Sequence, residues 1–196
     1  MNKENASIMT YTGKMINPFY PDEDSICIED IAHSLSMQCR FNGHTNRFYS
    51  VAQHCVMAAS MLRISKFPAK VQLLGLLHDS AEAYITDLPK PFKDCLDEYL
   101  DAEQTLNAAI IHKLYPYKDV SVDDIYHVAF IDKELSSLEG KEFLGGEFWE
   151  NKNTFFNIDF EVIWSPGEAK KEFLNFYYSL QKEVQNEQAA DRARNR

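Results

Sequence analysis

The sequence predicts an all-α fold in a single domain, and three observations carry that prediction. The chain has 196 residues, enough for one well-packed core and too few for two ordinary domains. Its 45% hydrophobic content with only seven Gly and seven Pro is a globular balance rather than a disordered or fibrous one. Apolar residues recur at spacings of three and four through most of the chain, while strand-like alternation is nearly absent.

Residues 1–27 read as an irregular, Pro-containing lead-in. From there Ile28, Ile31, Ala32, Leu35 and Cys39 mark a first amphipathic helix. FNGHTNRF interrupts it, and YSVAQHCVMAASML resumes helical spacing with Ser50 as its N-cap. After Pro68, AKVQLLGLLHDSAEAYI is apolar nearly all round up to Leu77, which implies a helix in the middle of the domain before the chain turns acidic. The two prolines of TDLPKPFKD require an extended exit until the next helix starts near Pro91. DCLDEYLDAEQTLNAAIIHKLY and SVDDIYHVAFIDKELSSLEG give two more helices, the second capped by Ser121 or Asp123. The part from Gly145 to Ser165 is aromatic and irregular, and GEAKKEFLNFYYSLQKEVQ is a last helix. The helical domain thus spans 28–185, followed by a frayed polar tail over 186–196.

A net charge of -10 argues against a nucleic-acid polymer as partner, because polymer binding needs a basic surface. A single nucleotide stays compatible, since a metal and one or two cations dominate the field inside a pocket. Cys27, Cys39, Cys55 and Cys95 form no C-x-x-C pair and read as reduced and buried. The N-terminus lacks a secretory apolar core, and no apolar run approaches the roughly eighteen residues of a membrane span. A cytoplasmic protein without membrane contact is expected.

The chemistry-bearing constellation is His54 on one helix, His78 and Asp79 at the end of the buried helix, and Asp132 on a later one. With six His and 30 acidic residues, about one His followed by an acid arises by chance, so the pair alone proves little. Spacing alone also allows a plain buried His–Asp hydrogen bond. The context adds weight: an apolar helix delivers an imidazole and a carboxylate into the interior, where charge is costly unless paired or metal-bound. Two His and two Asp make a mixed N/O site for one divalent cation, with Co, Mn, Zn or Mg all compatible.

Glu82 lies four residues after His78 on the same helical face, and Asp87 follows in the loop. Two carboxylates beside a metal site suit phosphate ester hydrolysis, one to orient or deprotonate water and one to protonate the leaving oxygen. A helix-end acid and a turn-capping Asp are their plainer readings. His33, His112 and His127 sit on amphipathic helices without a partner at ligand spacing and receive no chemistry.

The run LLHDSAEAYITDLPKPFK, preceded by His54 and followed by Asp132, resembles the HD-domain phosphohydrolases, and most closely the bacterial 5'-deoxynucleotidase group. The match extends from about Ile28 to Glu139 and includes H-D, Glu82, Asp87 and the L-P-x-P-x-K loop. It implies an HD-type helical bundle with His54, His78, Asp79 and Asp132 as ligands to one divalent metal and Glu82 and Asp87 as catalytic carboxylates. By the same resemblance Arg40 and Phe41 stand where the group has an Arg and a Trp that meet phosphate and sugar, although Phe lacks the indole donor.

Arg40 suits phosphate because its planar fork donates two parallel hydrogen bonds. Lys93, with Lys90, would add charge or simply face solvent, and His44 would touch phosphate or stay an uninvolved loop residue. The activity implied is metal-dependent hydrolysis of nucleoside 5'-monophosphates, deoxynucleotides above all, with a small-molecule nucleotide as the partner. A deoxynucleoside triphosphate triphosphohydrolase and a non-catalytic metal-bound regulatory module are the alternatives. A homodimer is implied by the resemblance alone.

Overall fold

The computed structural model describes residues 3–117 and 120–194. It is all-α: the described residues hold one two-stranded hairpin and otherwise helices and loops. Among them no helix is long and apolar enough to cross a membrane.

Three helices form the centre: α1 (Ile28–Met37), α2 (Val51–Ile64) and α3 (Ala69–Leu77). The composition of α3 explains its position, since Ala69 and every residue from 71 to 77 are buried and only Lys70 reaches solvent. Gly75 lets α3 lie against α2, for a Cβ there would run into the Leu62 side chain and touch the backbone of Ala59. Ser50 caps α2 as expected, its side chain accepting from the Gln53 amide at 3.1 Å.

The helix expected to continue through Ile85 breaks instead into two. After Leu77 the backbone tightens into i→i+3 bonds, with Ser80 N on Leu77 O and Glu82 N on Asp79 O, before the single turn α4 (Glu82–Ile85). A second turn, α5 (Lys90–Lys93), forms inside the proline loop with Pro91 near its start. Next come α6 (Asp97–Leu114) and α7 (Val122–Phe143), the latter opened by a reciprocal capping box between Ser121 and Asp124.

The aromatic segment holds one further turn, α8 (Glu147–Glu150). The last helix, α9 (Pro166–Arg194), packs on α1, α2 and α3 through Ala169, Phe173, Leu180 and Val184. It continues through the stretch read as a frayed tail, of which residues 195 and 196 lie outside the described residues.

The lead-in is more ordered than its composition suggests. β1 (Ile8–Met9) pairs antiparallel with β2 (Met15–Ile16), and Ile16 plugs the core at 1% exposure. The hairpin is pinned to α1 by Asp30, whose carboxylate accepts from Thr10 Oγ1, Thr12 N and Thr12 Oγ1 at 2.7–2.8 Å. Of the four free thiols expected to be buried, only Cys55 is; Cys27 and Cys39 are half-buried and Cys95 is exposed. The short α5 turn ends before Cys95 and leaves it outside the core.

Because Leu62 is itself fully buried, Gly75→Val has nowhere to place its methyl groups. Urea unfolding is expected to show a loss of about 1–3 kcal/mol.

Candidate metal centre

α1 ends at Met37, two residues before the last position of its apolar pattern. The chain then runs extended beside the start of α2, with Arg40 N on Tyr49 O at 2.9 Å and Val51 N on Gln38 O at 3.1 Å. This pairing carries Arg40 to the N-terminal end of α2, one turn from His54. α3 brings His78 and Asp79 from a second direction, and α7 brings Asp132 from a third.

Of the four sequence-predicted ligands, His54, His78 and Asp132 form one group able to hold a metal ion, and Asp79 approaches both imidazoles. His54 Nε2 lies 3.2 Å from His78 Nε2, 3.1 Å from Asp132 Oδ1 and 3.6 Å from Asp79 Oδ2. His78 Nε2 lies 3.3 Å from Asp79 Oδ2 and 3.6 Å from Asp132 Oδ1. Donor atoms that share one cation about 2.1 Å away stand about 3.0–3.4 Å apart in octahedral or tetrahedral shells. His54, His78 and Asp132 therefore offer an N/O donor group that could hold one divalent ion, with Asp79 3.3 Å from His78 Nε2 beside it.

Both imidazoles are turned for this by their other nitrogen. His78 Nδ1 donates to Gly75 O at 2.8 Å, and His54 Nδ1 lies 2.7 Å from Glu139 Oε1, which leaves both Nε2 atoms facing the cluster. Cys55 Sγ groups with His78 and Asp79 as well, but burial pushes its thiol well above the usual range and disfavours a thiolate ligand.

The electrostatics ask for positive charge among these atoms. Burial alone would raise Asp79, yet His78 and His54 bring its carboxyl down to about 2. Asp132 has a 38% exposed side chain; burial raises it, and hydrogen bonds with both imidazoles hold it well below its ordinary value. Burial lowers His78, but Asp79 and Asp132 push it well above 6.5. His54, lowered by burial and by Arg40, still ends raised because Glu139 and Asp132 face it.

The structure distributes the remaining predicted residues differently. Arg40 is buried beside the cluster, with Nη1 3.5 Å from Asp79 Oδ2, Nη2 donating to Ser136 Oγ at 3.0 Å and Nε to Glu139 Oε2 at 3.0 Å. Phe41 lies under its guanidinium, 5.4 Å from ring centre to Cζ, and receives the edge of Trp149. Phe41 and Asn42 both adopt positive φ, 54° and 53°, a conformation that non-glycine residues hold only under constraint. His44 is exposed on this turn.

Lys93, expected at the phosphate, instead pairs with Glu103 and stands 3.6 Å from Glu82 Oε1. The α5 turn directs its amine toward α6. Glu82 is 4% exposed and its Oε2 has no hydrogen-bond partner. Burial, reinforced by Asp79 and Asp87, pushes its carboxyl well above the usual range. Asp87 is half-buried and also raised, by burial first and then by Asp79, against a lowering by Arg40.

Sequence reasoning missed two partners. Glu139 lies seven residues after Asp132 on the same face of α7, and that spacing was the available signal. Gln38 left no such signal, because it follows α1 and reaches a loop distant in sequence. Its amide donates to Glu82 O at 3.0 Å and Ser34 Oγ at 3.1 Å, and it accepts from Asp87 N at 3.0 Å. This brace holds Thr86 at φ 72°, ψ 154°, a region almost confined to glycine. His33 stacks on Tyr11, His112 pairs with Glu23 and His127 packs on Phe67, so none of the three joins the centre.

No family model matches the chain. It is 42% identical over 109 residues to the uncharacterized protein YfdR of Escherichia coli strain K12, over 54% of this chain and 57% of that one. It is 31% identical over 104 residues to an uncharacterized protein of Rhodobacter capsulatus, over 50% of this chain and 53% of that one. The chain thus matches about half the length of these curated relatives.

Three outcomes are expected. Imidazole protons must leave before the nitrogens accept a cation. As His54 and His78 hold theirs above 6.5, Mn²⁺ affinity is expected to weaken as pH falls, beginning above 6.5, with proton release visible by calorimetry in two buffers. The metal-free chain runs the other way: the histidine contribution to stability is fully present below 6.5 and lost as pH rises through the raised values. Gln38→Ala takes the side-chain acceptor from Asp87 N and leaves Glu82 O with the Thr86 amide alone, and is expected to cost about 1–3 kcal/mol and to speed amide exchange at Asp87.

Proposed function

We propose that this chain is a metal-dependent phosphohydrolase of the HD family that cleaves nucleoside 5'-monophosphates, deoxynucleotides above all, to nucleoside and inorganic phosphate. The observation that carries this reading is the meeting of His54, His78, Asp79 and Asp132 at ligand spacing beside a buried guanidinium and two carboxylates of raised pKa. A divalent ion, which His54, His78, Asp79 and Asp132 would hold, would supply Lewis acidity toward a phosphoryl oxygen and make water more acidic.

The remaining work falls to the chain's own groups. Arg40 binds phosphate oxygens through the guanidinium N–H groups that Glu139 and Ser136 leave free. Asp87 takes a proton from the attacking water as its oxygen bonds to phosphorus. Glu82, whose burial favours the protonated form, gives its proton to the 5' oxygen as the P–O bond breaks.

Charge favours a monophosphate over a triphosphate. Arg40 reaches Asp79, while Lys93 stands by Glu82 and is shared with Glu103. A triphosphate would bring further anionic groups to a site lined by Asp79, Glu82, Asp87 and Asp132, where Arg40 and Lys93 are the cations and both already face carboxylates.

The test is a panel of ribo- and deoxynucleoside mono- and triphosphates with Co²⁺, Mn²⁺, Zn²⁺ or Mg²⁺. Inorganic phosphate from the monophosphates is the expected product. Tripolyphosphate from deoxynucleoside triphosphates would assign the triphosphohydrolase instead, and silence across all metals and substrates would leave a non-catalytic module.

A further inference from the structure

One side chain outside the ligand set touches both halves of the proposed site. Glu139 is fully buried on α7, and its carboxylate accepts from three donors that arrive from different parts of the chain. Oε1 receives Tyr49 Oη at 2.9 Å and faces His54 Nδ1 at 2.7 Å. Oε2 receives Arg40 Nε at 3.0 Å. Tyr49 is itself immobilised, stacked on Phe143 at 4.5 Å and meeting the edge of Phe160, so the carboxylate has little rotational freedom.

We propose that Glu139 is a positioning residue that sets the direction of His54 Nε2 and of the Arg40 guanidinium together, and so couples metal binding to phosphate binding. The inference rests on the metal-centre reading above. The physical argument is tautomeric and geometric. A carboxylate on Nδ1 keeps the proton there and leaves the Nε2 lone pair for a cation. The second oxygen of the same carboxylate fixes the guanidinium plane, because Nε is the nitrogen nearest the arginine stem and its hydrogen bond limits rotation of the whole fork. A plain buried Arg–Glu pair would do only the second.

Glu139→Gln separates these roles from packing, since it keeps the side chain's size but has one acceptor oxygen where the carboxylate has two. Mn²⁺ affinity by equilibrium dialysis is expected to fall about 10- to 100-fold, and the visible spectrum of the Co²⁺-loaded protein is expected to change. KM for a hydrolysed monophosphate rises with the loss of Arg40 alignment. Tyr49→Phe, which removes one donor and keeps the ring, gives a smaller loss in the same direction and serves if Glu139→Gln fails to fold.

Asp132→Ala is the reference. If Asp132→Ala binds Mn²⁺ as well as the unaltered chain, the metal-centre reading itself is wrong. If Asp132→Ala loses the ion while a folded Glu139→Gln, or Tyr49→Phe in its place, keeps unchanged affinity and an unchanged Co²⁺ spectrum, the positioning role is overturned and the reading stands.

Discussion

The end of α3 places His78 and Asp79 where water is scarce, and a carboxylate in such surroundings persists only if positive charge or hydrogen-bond donors face it. Much of the neighbourhood answers that requirement. His54 comes from α2, Asp132 from α7 and Arg40 from the extended link between α1 and α2, and each lies within 3.6 Å of another member of the group. In the chain alone the imidazoles meet the demand by holding protons above their usual range. A divalent ion would meet it with one centre in place of several protons.

Precision at such a site comes from the residues behind it. His78 is tethered to the carbonyl of Gly75, the residue that also allows α2 and α3 to approach. Packing of the central helices and aim of a donor atom therefore share one turn of backbone. Gln38 plays the corresponding part for Glu82 and Asp87, where the loop carries Thr86 in a conformation it would not hold unaided. The aromatic segment after α7, which has little regular structure of its own, contributes Phe160 to the enclosure around Tyr49.

Much of this was legible beforehand where local physics decides it. The apolar run before His78 announced a central helix, Ser50 and Ser121 announced their caps, and the His54, His78, Asp79 and Asp132 set was readable as a constellation. The pairing of Lys93 with Glu103 on α6 was not legible, because a lysine's amine goes wherever carboxylates stand and the spacing of a proline loop does not show them. Glu139 was hidden among ordinary glutamates on an amphipathic helix. The continuous helix expected through Ile85 failed because periodicity does not distinguish an α turn from the tighter i→i+3 turns that carry Asp79 and Ser80.

The sequence by itself determined most of the helices, the N-caps at Ser50 and Ser121 and the residue types able to ligate a cation, because helical spacing, capping and donor chemistry act within a few neighbouring residues. Only the tertiary structure decided which of those residues meet. Arg40 joins Asp79 across 39 positions and Glu139 joins His54 across 85. Contacts at that separation depend on how whole helices cross, and a crossing is set by the summed packing of many side chains, of which Gly75 against Leu62 and Ala59 is one visible instance.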